Sequence, residues 1–400
     1  MKKLAAALLC ALIALSVPGC SQMGAAILPP QVIPTPEMEI IGAPAHSPLP
    51  SPSAKPSPSP EPTTITLRVV GDIMLHDAQQ ISAKTDSGYD FSEYFARIRN
   101  ELSCADLTIG NLETPVANKP PSGYPRFNAP VEYLDELKSA GFDAFTIANN
   151  HILDKGSTGL SDTLNNLSER ELLYFGAADS KADYSVLIVE VKDIKLALLG
   201  YTYGTNGHED SKGQVHYLTE SNIKADVDSA QELGADFIIA FPHWGAEYYQ
   251  GIHDSTKRWA KKLADAGIDL ILGSHPHVLE PMETITSSDG REVVVAHSMG
   301  NFISNQQKDP TYAGVIIEVA LTKHPSGETE LESIGWLPTF VYKHSGKARY
   351  MYEVMPAVSE SIEGMNSAAK RKLKKAAEYA ASWFDNDFSE QITPTAVATP

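Results

Sequence analysis

Cysteine is scarce in this sequence, with three among 400 residues. Cys10 and Cys20 lie in an N-terminal stretch that we expect to be removed or modified, which leaves Cys104 alone in the rest of the chain. A single thiol excludes an intrachain disulfide, and a chain of this length can bury enough apolar surface to fold without one. Cys104 ends the amphipathic pattern FSEYFARIRNELSC, so we expect it to be a buried structural thiol.

Positive charge is also in short supply. The chain has 32 Lys and Arg against 50 Asp and Glu, a net charge of −18, and no stripe of basic residues. We therefore exclude nucleic acid as a partner. An acidic substrate would need bound cations or a local arginine to attract it. A P-loop, a G-x-S-x-G elbow and a dinucleotide-binding fingerprint are missing as well.

The N-terminal apolar run is too short to be a full membrane span. Residues 1–20 read as a basic MKK, the apolar LAAALLCALIALSV and then VPGC, which is the organisation of a signal peptide. The end resembles the lipobox of bacterial lipoproteins, with Pro18 a departure from its commonest form. We expect lipidation of Cys20 and anchoring at the extracytoplasmic face of the bacterial cell membrane; the alternative is an ordinary cleaved signal peptide and a secreted protein.

Residues 21–63 form a segment rich in proline and serine. Of the 27 prolines in the chain, 12 lie between residues 28 and 63. Such a segment builds neither helix nor sheet, so we expect a disordered, extended linker. At ~3.1 Å per residue it would reach on the order of 100 Å, far enough to hold a folded domain clear of a membrane.

Residues 64–356 begin with alternating predicted strands and helices. The strands TITLRVV, DLTI, DAFTI, DFIIAF and IDLIL are separated by amphipathic stretches such as VEYLDELKSAG and TKRWAKKLADAG. This alternation predicts a largely parallel sheet, and later segments such as AGVIIEVALT read as strands without intervening helices. We expect one α/β domain of two packed sheets flanked by helices. Within a C-terminal segment of residues 357–385, the stretch SAAKRKLKKAAEYAASWF (367–384) predicts an amphipathic helix with a solvated lysine face, and a disordered tail is expected over 386–400.

Polar residues follow the predicted strands where each one ends, which is where open α/β sheets place their ligands. Each of them alone could be an ordinary turn or packed residue. At consecutive strand ends they form a set of carboxylates, amides and imidazoles suited to two divalent cations. The set is Asp72, Glu113, Asn150, His151, His243, His275 and His277.

The stretch GSHPHVLEP, residues 273–281, holds two histidines around a proline. Pro276 fixes its own φ and favours extended backbone in the residue before it. Side chains two residues apart in an extended segment point to the same side. We therefore expect the rings of His275 and His277 to reach one cavity.

The motifs GDIMLHD, GNLETP, ANNHILDKG, HWGAEY, GSHPHVLEP and HSMGNF occur in this order over about residues 65–340. Together they resemble the CapA/PgsA family of poly-γ-glutamate capsule biosynthesis proteins, which belongs to the calcineurin-like metallophosphoesterase superfamily. The resemblance implies a four-layer αββα sandwich of two mixed β-sheets flanked by helices. It also implies a dinuclear metal site at one edge of the two sheets.

The resemblance further implies roles for single residues. His151 would be the catalytic residue that stabilises charge or protonates a leaving group. The implied ligands are Asp72 and His277 for a first metal, and Asn150, His243 and His275 for a second.

Two positions depart from the superfamily's pattern. Met74 stands where the first motif usually has a histidine, and His76 is a candidate to substitute for it. Asn111 stands where a bridging aspartate usually follows glycine, and Glu113 lies two residues later. If Glu113 bridges, the site holds two metals; if it does not, the site holds one or binds the second weakly.

Four further residues are candidates for substrate contact. Arg126 and Phe127 lie in the loop SGYPRFNAP, while Thr205 and Asn206 lie in YTYGTNGH, which looks like the family's YGTNG turn. Arginine offers a planar fork to phosphate or carboxylate; the alternatives are a surface arginine and a structural turn. The residues expected to support the ligands without binding metal are Asn111, Glu247 and His297.

Two functions fit these observations. The first is a metal-dependent hydrolase of a phosphoester or a γ-glutamyl amide in the biosynthesis or export of a poly-γ-glutamate capsule. The alternative is a non-catalytic factor that binds the polymer or its partners and retains a vestigial metal site. Expected partners are the membrane through the lipid anchor, poly-γ-glutamate, and membrane components of its synthesis and export complex. Imidazole suits several transition metals, so manganese, iron and zinc are all candidates for the two cations.

Overall fold

The computed structural model of the protein describes residues 61–346, 350–358 and 364–394. The expected signal peptide with Cys20 and nearly all of the expected linker lie outside the described residues, so the expectations for them stay predictions. Within the described part, no helix combines the length and apolar character that crossing a membrane requires.

Strands and helices alternate in the first part of the fold, and strands dominate the second. The strands are β1 (Thr63–Ile73), β2 (Leu107–Leu112), β3 (Ala144–Thr146), β4 (Leu173–Phe175), β5 (Leu187–Val191), β6 (Ile194–Thr202), β7 (Phe237–His243), β8 (Leu270–Leu272), β9 (Leu279–Thr286), β10 (Glu292–Met299), β11 (Asn301–Ile303), β12 (Ala313–Lys323), β13 (Thr329–Ser345), β14 (Tyr350–Pro356) and β15 (Glu390–Gln391). The α-helices are α1 (Asp77–Ala83), α2 (Ser92–Phe95), α3 (Arg99–Ser103), α4 (Glu132–Ala140), α5 (Gly156–Ser168), α6 (Glu220–Glu232), α7 (Asp254–Ala266) and α8 (Ser367–Phe384).

The strands form two mixed sheets. The first has the order β14-β13-β12-β1-β2-β3-β4, with β1 to β4 parallel and β12 to β14 antiparallel, and β11 pairs with β1. The second has the order β5-β6-β7-β8-β10-β9, with a parallel centre and antiparallel edges. Parallel strands joined by helices and a later antiparallel region are what the sequence predicts.

Strand β7 shows how one sheet separates two apolar layers. Phe237, Ile239 and Phe241 face the core between the two sheets. Ile238 and Ala240 face the outer side of the second sheet. Because side chains alternate between the faces of a strand, a strand covered on both sides must be apolar throughout, as FIIAF is.

Helices cover the outer faces of both sheets. Leu137 of α4 and Leu164 of α5 pack with Phe145 on the first sheet. Val227 of α6 and Leu263 of α7 pack on the second. The order helix, sheet, sheet, helix confirms the predicted four-layer α/β sandwich.

Helix α8 covers one side of the core between the sheets. Its apolar face, with Leu373, Ala380 and Phe384, belongs to that core, whereas Lys375 is exposed. The helix runs over Ser367–Phe384, where the sequence pattern predicts it, and the side chain of Asn366 caps it by accepting a hydrogen bond from the Ala369 amide at 2.9 Å. The helix is therefore part of the domain's core rather than an addition to it.

The tail differs from the disorder expected over 386–400. Strand β15 pairs with β13 at Gly335 and Trp336, and the Ile392 amide donates to the Trp336 carbonyl at 2.9 Å. This part of β13 lies beyond the end of its pairing with β14, so its backbone groups are available to a further strand. Residues 395–400 lie outside the described residues.

Cys104 is exposed, so the expectation of a buried thiol is wrong. The preceding helix α3 ends at Ser103, and Ile98 and Leu102 take the buried positions of the amphipathic pattern. Cys104 then falls at the helix end, where the chain turns towards solvent.

Glu280, at the start of β9, is fully buried, and neither of its carboxylate oxygens has a hydrogen-bond partner among the described residues. Burial raises the pKa of Glu280 from 4.5 to about 8. Tyr379 of α8 lies nearby and donates its hydroxyl to the carbonyl of Leu279 at 2.9 Å. The carboxyl is therefore held in its neutral form at pH 7, where an unfolded chain would have released the proton.

We expect the substitution Glu280→Gln to flatten the pH dependence of stability. Between the unfolded pKa of 4.5 and the folded pKa of about 8, the folded state holds one proton more than the unfolded state. The free energy of unfolding therefore falls as pH rises, by up to about 1.4 kcal/mol per pH unit. Urea unfolding from pH 5 to 8 measures this slope. The exposed control Glu328→Gln should keep it, and an unchanged slope in Glu280→Gln would contradict the assignment.

Candidate metal centre

The polar strand ends of the two sheets meet at one edge of the sandwich. Asp72 is the last residue but one of β1, and Glu113 follows β2, both in the first sheet. His243 ends β7, and His275 and His277 follow β8, all in the second sheet. The site is therefore built from carboxylates of one sheet and imidazoles of the other.

Two glycines let the strand ends approach to backbone contact. A Cβ on Gly71 would lie 2.0 Å from the carbonyl oxygen of Gly300, and one on Gly273 would lie 2.2 Å from that of His297. Gly300 has a φ of 67° and stands between β10 of the second sheet and β11 of the first. A side chain at Gly71 or Gly273 would force the backbone apart where the polar residues gather.

The first group of possible ligands joins Asp72, Glu113 and His277, with one atom of each within 4.8 Å of the others. His277 Nδ1 lies 2.9 Å from Asp72 Oδ2, and His277 Nε2 lies 3.7 Å from Glu113 Oε1. All three side chains are buried.

The second group joins Glu113, His243 and His275 within the same 4.8 Å limit. His243 Nε2 lies 3.1 Å from His275 Nδ1 and 3.6 Å from Glu113 Oε1. Asn150 Oδ1 lies 3.1 Å from the same nitrogen. The structure therefore gathers four donor residues around one point.

Glu113 belongs to both groups and has no hydrogen-bond partner for either oxygen among the described residues. Burial, and next the neighbouring Asp72, raise the pKa of Glu113 well above 4.5. A buried carboxylate without partners is costly unless a cation or a proton compensates its charge. The residues present therefore fit divalent cations, with Glu113 placed to contact both positions.

The histidines of the second group are held neutral, which is the form that binds metal. Burial, with a smaller effect of His275, holds the pKa of His243 well below 6.5. Burial and next His277 lower the pKa of His275 to about 3. Ser274 Oγ lies 3.0 Å and Asn111 Nδ2 3.3 Å from His243 Nδ1, so Nε2 is the ring nitrogen that faces Asn150 and His275.

The backbone around the two histidines is a turn, so the expected extended geometry is wrong. His275 has a φ of 100° and His277 a φ of 59°. The turn is held by hydrogen bonds from the Ser274 amide to the Pro242 carbonyl at 3.0 Å and from the Tyr248 amide to the Pro276 carbonyl at 2.8 Å. Positive φ costs about 1–3 kcal/mol at residues other than glycine, and such strain gathers at functional sites. The two rings still meet, with centroids 5.8 Å apart.

His151 is paired with Asp154, a residue that our sequence analysis missed. His151 Nδ1 lies 2.8 Å from Asp154 Oδ2, which also accepts the Phe127 amide at 2.8 Å. The signal in the sequence is the spacing of three residues in ANNHILDKG, which places both side chains on one side of a turn. The carboxylate fixes the ring so that Nε2 is free to exchange a proton.

Phe127 is fully buried, which contradicts its expected role in substrate contact. Its ring packs edge-on against His151, with centroids 4.7 Å apart, and against His76 at 5.1 Å. It therefore helps to fix the histidine ring. Arg126 next to it has an exposed side chain, so its expected role stays a prediction.

The two residues of the YGTNG turn separate in the structure. Asn206 Oδ1 lies 3.4 Å from Asn150 Nδ2, and Asn206 Nδ2 lies 3.5 Å from His151 Nδ1, so its amide lies at the site. Thr205 instead donates its hydroxyl to the His208 carbonyl at 2.7 Å, which closes the turn. The alternative of a structural turn therefore describes Thr205.

The residues expected to support the ligands have different surroundings. Asn111 donates from Nδ2 to Asp72 Oδ1 at 2.8 Å and so orients a ligand. His297 Nε2 lies 2.9 Å from Glu283 Oε1, outside both groups formed by the described residues. Glu247 is exposed at the rim beside Tyr248.

His76, the candidate substitute for the missing histidine, belongs to neither group found among the described residues. Its Nδ1 accepts a hydrogen bond from the Asn305 amide at 3.3 Å. Met74 is buried, with its sulfur 3.8 Å from Ser304 Oγ. The first group therefore has three residues where the second has four.

Comparison with known proteins identifies relatives of the chain. The profile of the family described as "Bacterial capsule synthesis protein PGA_cap" matches residues 66–306. The capsule biosynthesis protein CapA of Bacillus anthracis is 27% identical over 271 residues, which are 64% of this chain and 64% of that protein. The PGA biosynthesis protein CapA of Bacillus subtilis is 29% identical over 276 residues, 66% of this chain and 70% of that protein. The chain thus spans less than two thirds of the length of the B. anthracis protein.

Two solved structures resemble the fold. The calcineurin-like phosphoesterase YfkN of Bacillus subtilis aligns with 81% of this chain and 100% of that chain, at 14% identity and a TM-score of 0.41. The NAD nucleotidase of Haemophilus influenzae aligns with 84% of this chain and 58% of that chain, at 13% identity and a TM-score of 0.45.

Proposed function

We propose that this chain, which belongs to the PGA_cap family of bacterial capsule synthesis proteins, is a metal-dependent hydrolase. It would act in the biosynthesis or export of a poly-γ-glutamate capsule. The observation that carries the proposal is Glu113, a buried carboxylate that belongs to both ligand groups and has no hydrogen-bond partner among the described residues. The bond that the hydrolase would cleave is a phosphoester or a γ-glutamyl amide.

Two divalent cations are proposed for the site, drawn from manganese, iron and zinc. Asp72 and His277 would hold the first, Asn150, His243 and His275 the second, and Glu113 would contact both. Bound cations supply Lewis acidity and neutralise negative charge that develops during hydrolysis.

His151 would supply the proton in this proposal. Asp154 holds Nδ1 of the ring at 2.8 Å, and Phe127 packs against its edge, so Nε2 keeps one orientation. A positioned imidazole can protonate the departing oxygen or nitrogen of either substrate class. Asn206, beside both Asn150 and His151, is placed to contact the substrate.

The alternative function is a polymer-binding or assembly factor that keeps a vestigial metal site. Met74 and Asn111 favour it, because they stand where the superfamily pattern has a histidine and an aspartate. Metal analysis of the purified protein, followed by hydrolysis of a phosphodiester and of oligo-γ-glutamate, separates the two. Bound metal with turnover supports the hydrolase. Bound polymer without turnover of either substrate favours the alternative.

Lipid anchoring at the extracytoplasmic face of the membrane is proposed from the VPGC sequence and the proline-rich segment after it. We expect Cys20→Ser to abolish labelling with a radioactive fatty acid and to release the protein from the membrane fraction, because the thiol is the attachment point. The matched control is Cys10→Ser, which should still be labelled. Unchanged labelling of Cys20→Ser would contradict the proposal and favour a secreted protein.

A further inference from the structure

We infer that a cationic pocket beside the metal centre binds carboxylate groups of an anionic chain. The inference rests on the proposed function for the identity of that chain, poly-γ-glutamate. A chain of this kind carries a carboxylate on every residue, so one part of it can occupy the pocket while another part lies at the metal centre.

The pocket has a volume of about 240 Å³ and lies between the loop after β11, strands β13 and β14, and the start of α8. Three lysines line it: Lys308 from the loop, Lys343 from β13 and Lys372 from α8. Asp309 is the one carboxylate among the described residues that line it. In a protein with a net charge of −18, this is a local reversal of sign.

Lys343 has no carboxylate partner among the described residues. Its Nζ donates to Asn305 Oδ1 at 2.9 Å and lies 4.7 Å from the ring centroid of Tyr350 and 5.5 Å from that of Tyr352. Partial burial, and next the charge of Lys372, lower the pKa of Lys343. An anion in the pocket would relieve both effects, since it supplies the opposite charge to a partly desolvated ammonium group.

Lys372 has a weak partner. Its Nζ lies 3.3 Å from Asp309 Oδ1 and 4.6 Å from the ring centroid of Tyr312. The ion pair with Asp309 is largely exposed, and such pairs hold a lysine only loosely. A carboxylate ligand can therefore share or replace Asp309.

Contacts connect the pocket to the metal centre. Lys308 Nζ lies 4.3 Å from the ring centroid of Tyr248, and that ring lies 6.0 Å from the ring of His277. On the inner wall, the Asn305 amide donates to His76. A chain lying in the pocket would pass Lys308 and Tyr248 to reach the His277 side of the site, guided by positive charge in an otherwise repulsive field.

The test is binding of an oligo-γ-glutamate of defined length to the full-length protein in the presence of a chelator, measured by titration calorimetry. We expect the double variant Lys343→Gln/Lys372→Gln to bind about tenfold to a hundredfold more weakly than the unaltered protein, because charged hydrogen-bond donors are lost. The matched control is Lys374→Gln/Lys375→Gln, which makes the same change in charge on exposed positions of α8 and should bind normally. Equal thermal unfolding midpoints of the two variants would show that both are folded.

Three results would overturn the inference. They are equal binding by the two double variants, equal binding of a neutral γ-linked oligomer whose α-carboxylates are all converted to amides, and displacement of the oligomer by inorganic phosphate at the same concentration of charge. Loss of binding to phosphatidylglycerol vesicles in the pocket variant, with oligomer binding unchanged, would assign the pocket to a membrane surface instead. Because the measurement is made without metal, failure of hydrolysis leaves its outcome unaffected, and the two proposals can fail separately.

Discussion

Glu113→Gln should empty both cation positions at once. Glu113 is the residue that the two groups share, and glutamine keeps its shape while removing its charge. Removal of a residue that hydrogen-bonds to a metal ligand lowers metal affinity by about tenfold to a hundredfold, and removal of a ligand itself should cost more. We therefore expect the metal affinity of each position to fall by at least about a hundredfold. Elemental analysis after dialysis against a mild chelator measures the metal content.

The matched controls are single histidine variants. His277→Ala should lower occupancy of the position near Asp72, whereas His275→Ala should empty the position near Asn150. The unaltered protein should lose the first cation before the second, because the first group has one residue fewer. Retention of both metals in Glu113→Gln would refute the shared ligand.

The same substitution should stabilise the protein when metal is absent. In the folded protein without metal, the pKa of Glu113 lies well above its unfolded value of 4.5. Stability is therefore lost as pH rises above 4.5, and Glu113→Gln removes that loss. At pH 7 in chelator, the free energy of unfolding of Glu113→Gln should exceed that of the unaltered protein. If Glu113→Gln lost its metal because it misfolds, its free energy of unfolding in chelator would instead be lower than that of the unaltered protein.

His151→Gln is expected to lower kcat by about 10²- to 10⁴-fold, the usual contribution of a general acid or base, with both metals retained. Asp154→Asn should lower kcat less and leave KM unchanged, because Asp154 positions the ring and lies behind it. Hydrolysis rates and metal content are measured on the same preparations.

His208→Gln is the control for these variants. His208 Nε2 lies 3.7 Å from Asp154 Oδ1, the oxygen that does not contact His151. His208 is therefore near the same carboxylate as His151 but is not as closely paired with it. We expect nearly unaltered kcat. If His151→Gln and His208→Gln lowered kcat equally, the assignment of His151 as proton donor would be wrong.

The fold and the family could be predicted from the sequence, and both are confirmed. Apolar runs such as FIIAF are long enough to identify strands, and polar residues after them identify the edge where ligands gather. The positive φ of His275 and His277 could not be predicted, since it depends on hydrogen bonds to Pro242 and Tyr248, residues distant in sequence. The packing of α8 on the core between the sheets could not be predicted either. An apolar helix face indicates that the helix packs against something, but it does not indicate which surface it packs against.

Asp154 shows a different limit. Its spacing from His151 is visible in the sequence, but the spacing alone does not show that the carboxylate is buried or that it faces the ring. The carboxylate is identified as a partner only by its burial and by the amide of Phe127, which lies far from it in the sequence.

Each ligand group joins a carboxylate of the first sheet to an imidazole of the second. A cation at either position would therefore fasten the two layers together at the edge where the chain crosses between them. A ligand that binds only the folded state at 100 times its dissociation constant adds about 2.7 kcal/mol to the free energy of unfolding. The stability of the folded protein would then follow the concentration of free metal in its surroundings.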